Sequence, residues 1–271
     1  MIMESRVQQQ LKAEPNTWRY KLISGSIIVF LLLWSATSIE LNQLETGGWS
    51  IARSIVAGLL NPNTELLLDF TSTGIAYLLL ETIAIAYLGT VVGAILAVPL
   101  AFLSAVNIVP KSVAFVLRLF IMVIRTIPTF VYGLMFIRVT GPGAFAGLLT
   151  MALSSIGMIT KLYVESIEEL DKGIIESLDA AGCNGFEKIR YGILPQLFPT
   201  FLSTIIYRFD MNLRDATVLG LVGAGGIGAP LIFAMSAYRW NEVGSILVGL
   251  IILILIVEYI STKIRQKLVR G

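Results

Sequence analysis

The sequence predicts an all-α, polytopic membrane protein with about six transmembrane helices. Three observations lead there. Hydrophobic residues make up 56% of the chain and charged residues 14%, against about 45–50% and 25% in a soluble domain. The apolar residues fall in blocks rather than amphipathic stripes, each near the roughly 20 residues that cross a hydrocarbon core. Both ends of the chain carry clusters of Lys and Arg, as an even number of crossings from one side demands.

The first block runs from about Leu22 to Ile39 and contains no charge. The 20 residues before it are polar and lack the early apolar core of a cleavable signal peptide, so the block reads as a retained anchor. The second spans about Ile83–Ala105, just after Glu81, and carries Gly89, Gly93 and Ala97 at intervals of four. Small residues at that spacing let helix backbones approach closely in lipid, within the subunit or at a subunit seam. The third lies within Val113–Val139. It is too long for one untilted span and contains Arg118, Arg125 and Pro128. Val113–Ile124 is expected to be an interfacial helix or a broken entry, with the span itself starting near Ile127. The fourth runs from about Phe145 to Thr160, the fifth from Leu197 to Leu221 and the sixth from Val243 to Ile260.

Lys/Arg placement orients these spans. Arg6, Lys12, Arg19 and Lys21 precede the first; Lys263, Arg265, Lys267 and Arg270 follow the last. Both termini are therefore expected in the cytoplasm. The 40–75 loop holds Glu40, Glu45, Glu65 and Asp69 against Arg53 and is expected outside.

Composition also removes function classes. The net charge of +2 makes no case for a nucleic-acid partner. With no histidine, His-based acid–base catalysis, the Ser–His–Asp triad and most zinc sites are excluded. Cys183, the single cysteine, rules out an intrachain disulfide and a Cys-rich metal site. It reads as a small residue at a turn.

Two regions carry the functional signal. In the connection 161–196, Ile167, Leu170, Ile174, Ile175 and Leu178 recur with helical period, predicting a helix over Tyr163–Ala181. Gly182 and Gly185 are expected to break it. A short helix over Phe186–Tyr191 and then Pro195 at the start of the fifth span follow. Such a projecting pair of helices suits a docking partner, or is a solvated connector. In the fifth span, Arg208, Asp210, Arg214 and Asp215 stand where each charge costs about 2.5–3.5 kcal/mol. Asp210 and Arg214 can pair at i, i+4, while Arg208, Asn212 and Asp215 share a second face. They either line a translocation path or fix helix orientation as internal ion pairs. The run Gly223, Gly225, Gly228 spells a dinucleotide fingerprint, but the βαβ context that gives it meaning is missing. These glycines and Gly226 read as packing or gate positions, as does Pro128.

The spacing of Glu176, Gly182 and Leu194-Pro195 resembles the EAA loop of membrane subunits of ATP-binding-cassette importers, with Ala180-Ala181 as the small residues before the glycine. It departs at Ser177, Leu178 and Gly192. Arg125-Thr126-Ile127-Pro128, Asn212–Leu219 and Gly220–Gly228 resemble the phosphonate importer permeases, with Asp215 where serine is expected. The resemblance covers roughly Glu81–Ser261. It implies the type I ABC importer permease fold. It implies a coupling loop built from Glu176, Ala180, Ala181, Gly182, Cys183, Asn184, Gly185, Phe186, Leu194 and Pro195, and a path lined by Arg208, Asn212, Arg214 and Asp215. The implied partners are a second permease copy, two cytoplasmic ATPase subunits and an extracytoplasmic phosphonate-binding protein, in a bacterial inner membrane. No cofactor is expected on this chain; ATP and Mg belong to the ATPase, since no Walker A sequence is present. The chain then divides into a cytoplasmic segment 1–21, a first helix and external loop 22–75, a permease core 76–262 and a basic tail 263–271. A secondary transporter driven by an ion gradient, or a permease for another small solute, are the alternatives. A membrane-embedded hydrolase has no nucleophile–base constellation to support it.

Overall fold

A computed structural model describes residues 18–37 and 48–270, except 68, 72 and 73; for 269 and 270 only the backbone is described. The described residues are helical, with no strands among them. They form two compact units, 1–52 and 53–271. In the first unit, α1 (Trp18–Thr37) is a 20-residue apolar helix. It starts four residues before the predicted block. α2 (Gly48–Leu60) bridges the boundary, and α3 (Thr64–Leu67) follows, so the expected external loop carries helices of its own.

The second unit is built on α4 (Ile75–Ser104), α5 (Lys111–Thr126), α6 (Thr129–Thr140) and α7 (Ala144–Glu168). It continues with α8 (Lys172–Ala180), α9 (Gly185–Glu187), α10 (Leu194–Gly220), α11 (Gly228–Ser236) and α12 (Trp240–Arg270). α4 begins eight residues ahead of the predicted Ile83 and takes in Glu81. α12 continues through the basic residues assigned to a tail.

Among the described residues, α1, α4, α7 and α12 are long and apolar enough to cross a bilayer. The bent pair α5–α6 adds a fifth candidate. The predicted span starting at Ile127 is corrected here: α6 has 12 residues, about 18 Å of helix, well short of a 30 Å core. Only the pair together has the length of a crossing, and its two helices meet at an 84° bend, as in a broken span or a re-entrant loop. Pro128 sits at that bend as the N-cap of α6, where its missing N–H breaks no helical bond. α10, 27 residues long with four charges near its middle and C-terminal half, is not among these candidates; taken as a span it brings the count to the expected six.

α4 and α7 form the central contact. A Cβ on Gly93 would lie 2.5 Å from Ser155 Cβ and 2.8 Å from Ala152 O, and one on Gly89 would run into Met151. The stripe Gly89, Gly93, Ala97 therefore serves packing within the subunit rather than a subunit seam. Three apolar clusters stack along the bundle. Near the 169–193 connection, Phe102, Tyr163, Ile193 and Phe201 pack together, with the Tyr163 and Phe201 rings stacked at 3.9 Å. Ile85, Met151, Leu213 and Leu219 fill the middle. Ile75, Ile227, Leu231 and Ile246 close the opposite end.

The predicted Tyr163–Ala181 helix is two helices. α7 ends at Glu168, and Asp171 caps α8 by accepting from Gly173 N at 2.9 Å. A short carboxylate that competes for backbone N–H groups favours a new helix start over continuation. The separate Phe186–Tyr191 helix is likewise corrected. From Gly185 to Gly220 the chain is helical throughout, α9 passing through a π-helical stretch, Lys188–Ile193, into α10. There Leu194 N bonds Ile189 O, five residues back, beside Pro195, which has no N–H to give.

Candidate functional site

The connection between α8 and α9 is a tightly specified turn. Gly182 adopts φ +76°, a left-handed conformation that L side chains resist. Its N–H bonds Asp179 O at 2.9 Å, and Cys183 N bonds Leu178 O at 3.0 Å. These two bonds are the Schellman pattern that satisfies the last carbonyls of a helix. Asn184 then caps α9: its side chain accepts from Glu187 N at 3.0 Å, and the Glu187 carboxylate accepts from Asn184 N at 2.8 Å. Lys188 and Asp179 close the turn with an ion pair. Gly185, expected with Gly182 to end the preceding helix, is the first residue of the next one, α9. A Cβ on Gly192 would collide with Leu178, so glycine there lets α8 lie against the π-helical stretch. Glu176, Ala180, Ala181 and Phe186 are exposed on this projection, while Leu194 and Pro195 open α10.

At mid-bundle a polar network joins three spans. Arg208 is 4% exposed. It donates to Ser154 Oγ at 2.7 Å, Ser155 Oγ at 3.2 Å and Met158 Sδ at 3.2 Å, with Asp215 at 4.0 Å. Asn212, wholly buried, donates to Thr90 Oγ1 and Ser155 Oγ, both at 2.7 Å. Thr129 and Ser154 share a bond at 2.9 Å, tying the residue after Pro128 to Arg208. Arg214 lies elsewhere: it pairs with Asp210 at 3.0 Å and Glu258 at 3.4 Å and is 45% exposed. The structure thus brings Arg208 and Asn212 together in the buried network, with Asp215 at its edge between Arg208 and Arg214.

Sequence reading missed Thr90, Thr129, Ser154, Ser155 and Met158. The consecutive hydroxyls Ser154-Ser155 inside an apolar span were the available signal, since such groups are bonded when buried. A second omission is Glu168, which accepts from Val106 N at 2.7 Å and pairs with Arg118.

The glycine-rich stretch is a packed turn between α10 and α11. Gly223, Gly225 and Gly226 have φ between +72° and +93°. Gly143 N donates to Gly223 O at 2.8 Å, and Ile227 N to Thr82 Oγ1 at 3.0 Å. A Cβ on Gly228 would lie 2.6 Å from Gly220 Cα.

These features define a multi-pass helical bundle with a projecting turn at one end and a charged span through its middle. Residues 97–270 match the family described as binding-protein-dependent transport system inner membrane component, and the chain belongs to that family. It is 32% identical over 272 residues to the putative phosphite transport system permease protein HtxC of Stutzerimonas stutzeri, covering 97% of this chain and 94% of that one. It is 33% identical over 189 residues to the phosphite transport system permease protein PtxC of the same organism, covering 69% of each. Its fold is similar to that of a chain in the inward-facing MetNI methionine ABC transporter, with a TM-score of 0.63 and 20% identity over 72% of this chain and 95% of that one. The fold is that of the type I ABC importer permeases, and the chain is the membrane-spanning permease subunit of such an importer.

Proposed function

We propose that this permease carries a phosphonate or a related phosphorus oxyanion such as phosphite inward by alternating access. The observation that supports this most is the end-to-end similarity to a putative phosphite permease, over 97% of the chain. The reading has two copies of the chain forming the pore, two cytoplasmic ATPase subunits binding ATP and Mg, and an extracytoplasmic binding protein delivering the solute. This chain itself binds neither ATP nor metal. It places both termini and the α8–α9 turn in the cytoplasm, with Glu176, Ala180–Phe186, Leu194 and Pro195 meeting the ATPase.

Within the pore, Arg214 and Asp215 reach an accessible surface, while Arg208 and Asn212 stand behind them between α4, α7 and α10. A shift of those spans opens the enclosed pair to the path. A guanidinium suits an oxyanion because its planar donor fork matches two oxygens at once. Gly223, Gly225, Gly226 and Gly228 hold the turn at the outer end, and Pro128 holds the α5–α6 bend, as gate or packing elements.

The test is uptake of a labelled alkylphosphonate and of phosphite by phosphorus-starved cells with and without this chain. Loss of ATP-dependent uptake on deletion supports the proposal. Unchanged uptake of both solutes overturns the substrate class and leaves the importer fold intact.

A further inference from the structure

Near the end of the bundle that carries the α8–α9 turn, α4, α5 and α7 line a half-open cavity of about 230 Å³. A single water needs only about 10–15 Å³. Three cations line it: Arg118, Arg125 and Lys161. Two acids line it as well, and each is already engaged. Glu168 is bound to Arg118 and Val106 N, and Glu165 pairs with Lys161 at 3.2 Å. Arg125 is the cation in excess. Its aliphatic stem rests on α7 at Gly157, where a Cβ would come within 2.7 Å of Arg125 Cγ.

Two further groups at the cavity point to a ligand. Ser104 and Thr160 both line it and are each 1% exposed. Their hydroxyls have no hydrogen-bond partner among the described residues. A buried hydroxyl is normally bonded, and leaving one unpaired is unfavourable. Two hydroxyl donors beside an uncommitted guanidinium form an acceptor-hungry site with a net charge of +1. Arg118 also keeps donors in reserve, because its bonds to Ser104 O and Glu168 use only part of a five-donor fork. The ligand that fits is small, anionic and rich in acceptor oxygens.

We propose that this cavity is a binding site for a tetrahedral phosphorus oxyanion group, held by Arg125 and by the Ser104 and Thr160 hydroxyls. The group is either a free oxyanion or the phosphate of a lipid headgroup. The first source rests on the proposed function, in which the carried solute is itself the oxyanion; Thr160 lies six residues along α7 from Ser154, a rise of about 9 Å.

The full-length permease, purified in detergent and stripped of lipid, is titrated calorimetrically with inorganic phosphate and with methylphosphonate. The same protein before stripping is weighed by native mass spectrometry for retained phospholipid. Wild type is compared with Arg125→Gln and with Ser104→Ala/Thr160→Val. A free-oxyanion site shows at least a ten-fold weaker titration in both variants. A headgroup site shows a phospholipid retained by wild type and lost from both. Equal affinity and equal lipid retention in all three proteins overturns the proposal. Ser104→Ala alone, which removes one oxygen and no charge, repeats the comparison if Arg125→Gln does not fold. Neither readout depends on uptake, so loss of the phosphonate reading and loss of this site are separate results.

Discussion

Arg208 and Asn212 reach partners 50 to 122 residues away in the chain, whereas the turn between α8 and α9 is held by bonds spanning no more than nine residues. The first network lies between spans, where water offers no substitute for a lost bond. The second is largely exposed, and water competes for each of its groups. Polar groups in the bundle therefore fix how helices sit against one another, and polar groups in the turn fix only where helices begin and end. The same kind of contact has a global consequence in one place and a local one in the other.

The contrast is broken most forcefully at Arg208. Arg208→Ala removes the donor to Ser154, Ser155 and Met158 and one of the two arginines that act on Asp215, the other being Arg214. Two buried hydroxyl bonds to a charged donor are lost, at about 1.5–3 kcal/mol each, read as a large drop in the melting temperature of the purified permease. Arg208→Lys recovers only part of it, because a point ammonium cannot reproduce a planar fork. Gly93→Leu comes next. Its side chain must displace α7 at Ser155 and Ala152, for about 1–3 kcal/mol of overpacking and slower uptake. Gly182→Ala forces a side chain to φ +76°, straining the turn by about 1–2 kcal/mol. The expected signature is a fall in ATP hydrolysis coupled to solute, with little change in global melting. Asn184→Ala is smallest. Loss of the cap weakens α9 by about 1 kcal/mol, seen as several-fold faster amide exchange at Gly185–Glu187. If Asn184→Ala lowers global melting as far as Arg208→Ala does, the distinction between the two regions fails.

The turn was legible in the sequence because its determinants are neighbours. Gly182 reads directly as a stop. Two local signals went unread: the Asn184–Glu187 capping box that starts α9, and Asp171 before Lys172-Gly173, the cap that splits the expected long helix in two. The continuous run from Gly185 to Gly220 was not legible. Periodicity does not report a π-helical stretch, and Pro195 is equally at home at a helix start. The charges of α10 announced themselves by their cost in a span, and i, i+4 spacing correctly paired Asp210 with Arg214. Spacing alone could not say that Arg208 faces α7 or that Glu258 of α12 joins Arg214.

By itself the sequence determined the helical membrane class, the break near Pro128, the glycine stop at 182 and the family. Each depends on composition or on residues within a few turns of one another. Only the tertiary structure decided that Gly89 and Gly93 seat α7, that Ser154 and Ser155 receive Arg208, and that Glu168 locks onto Arg118. Those choices depend on which faces of distant helices meet, and helix faces are matched by packing across the bundle, which no local pattern encodes.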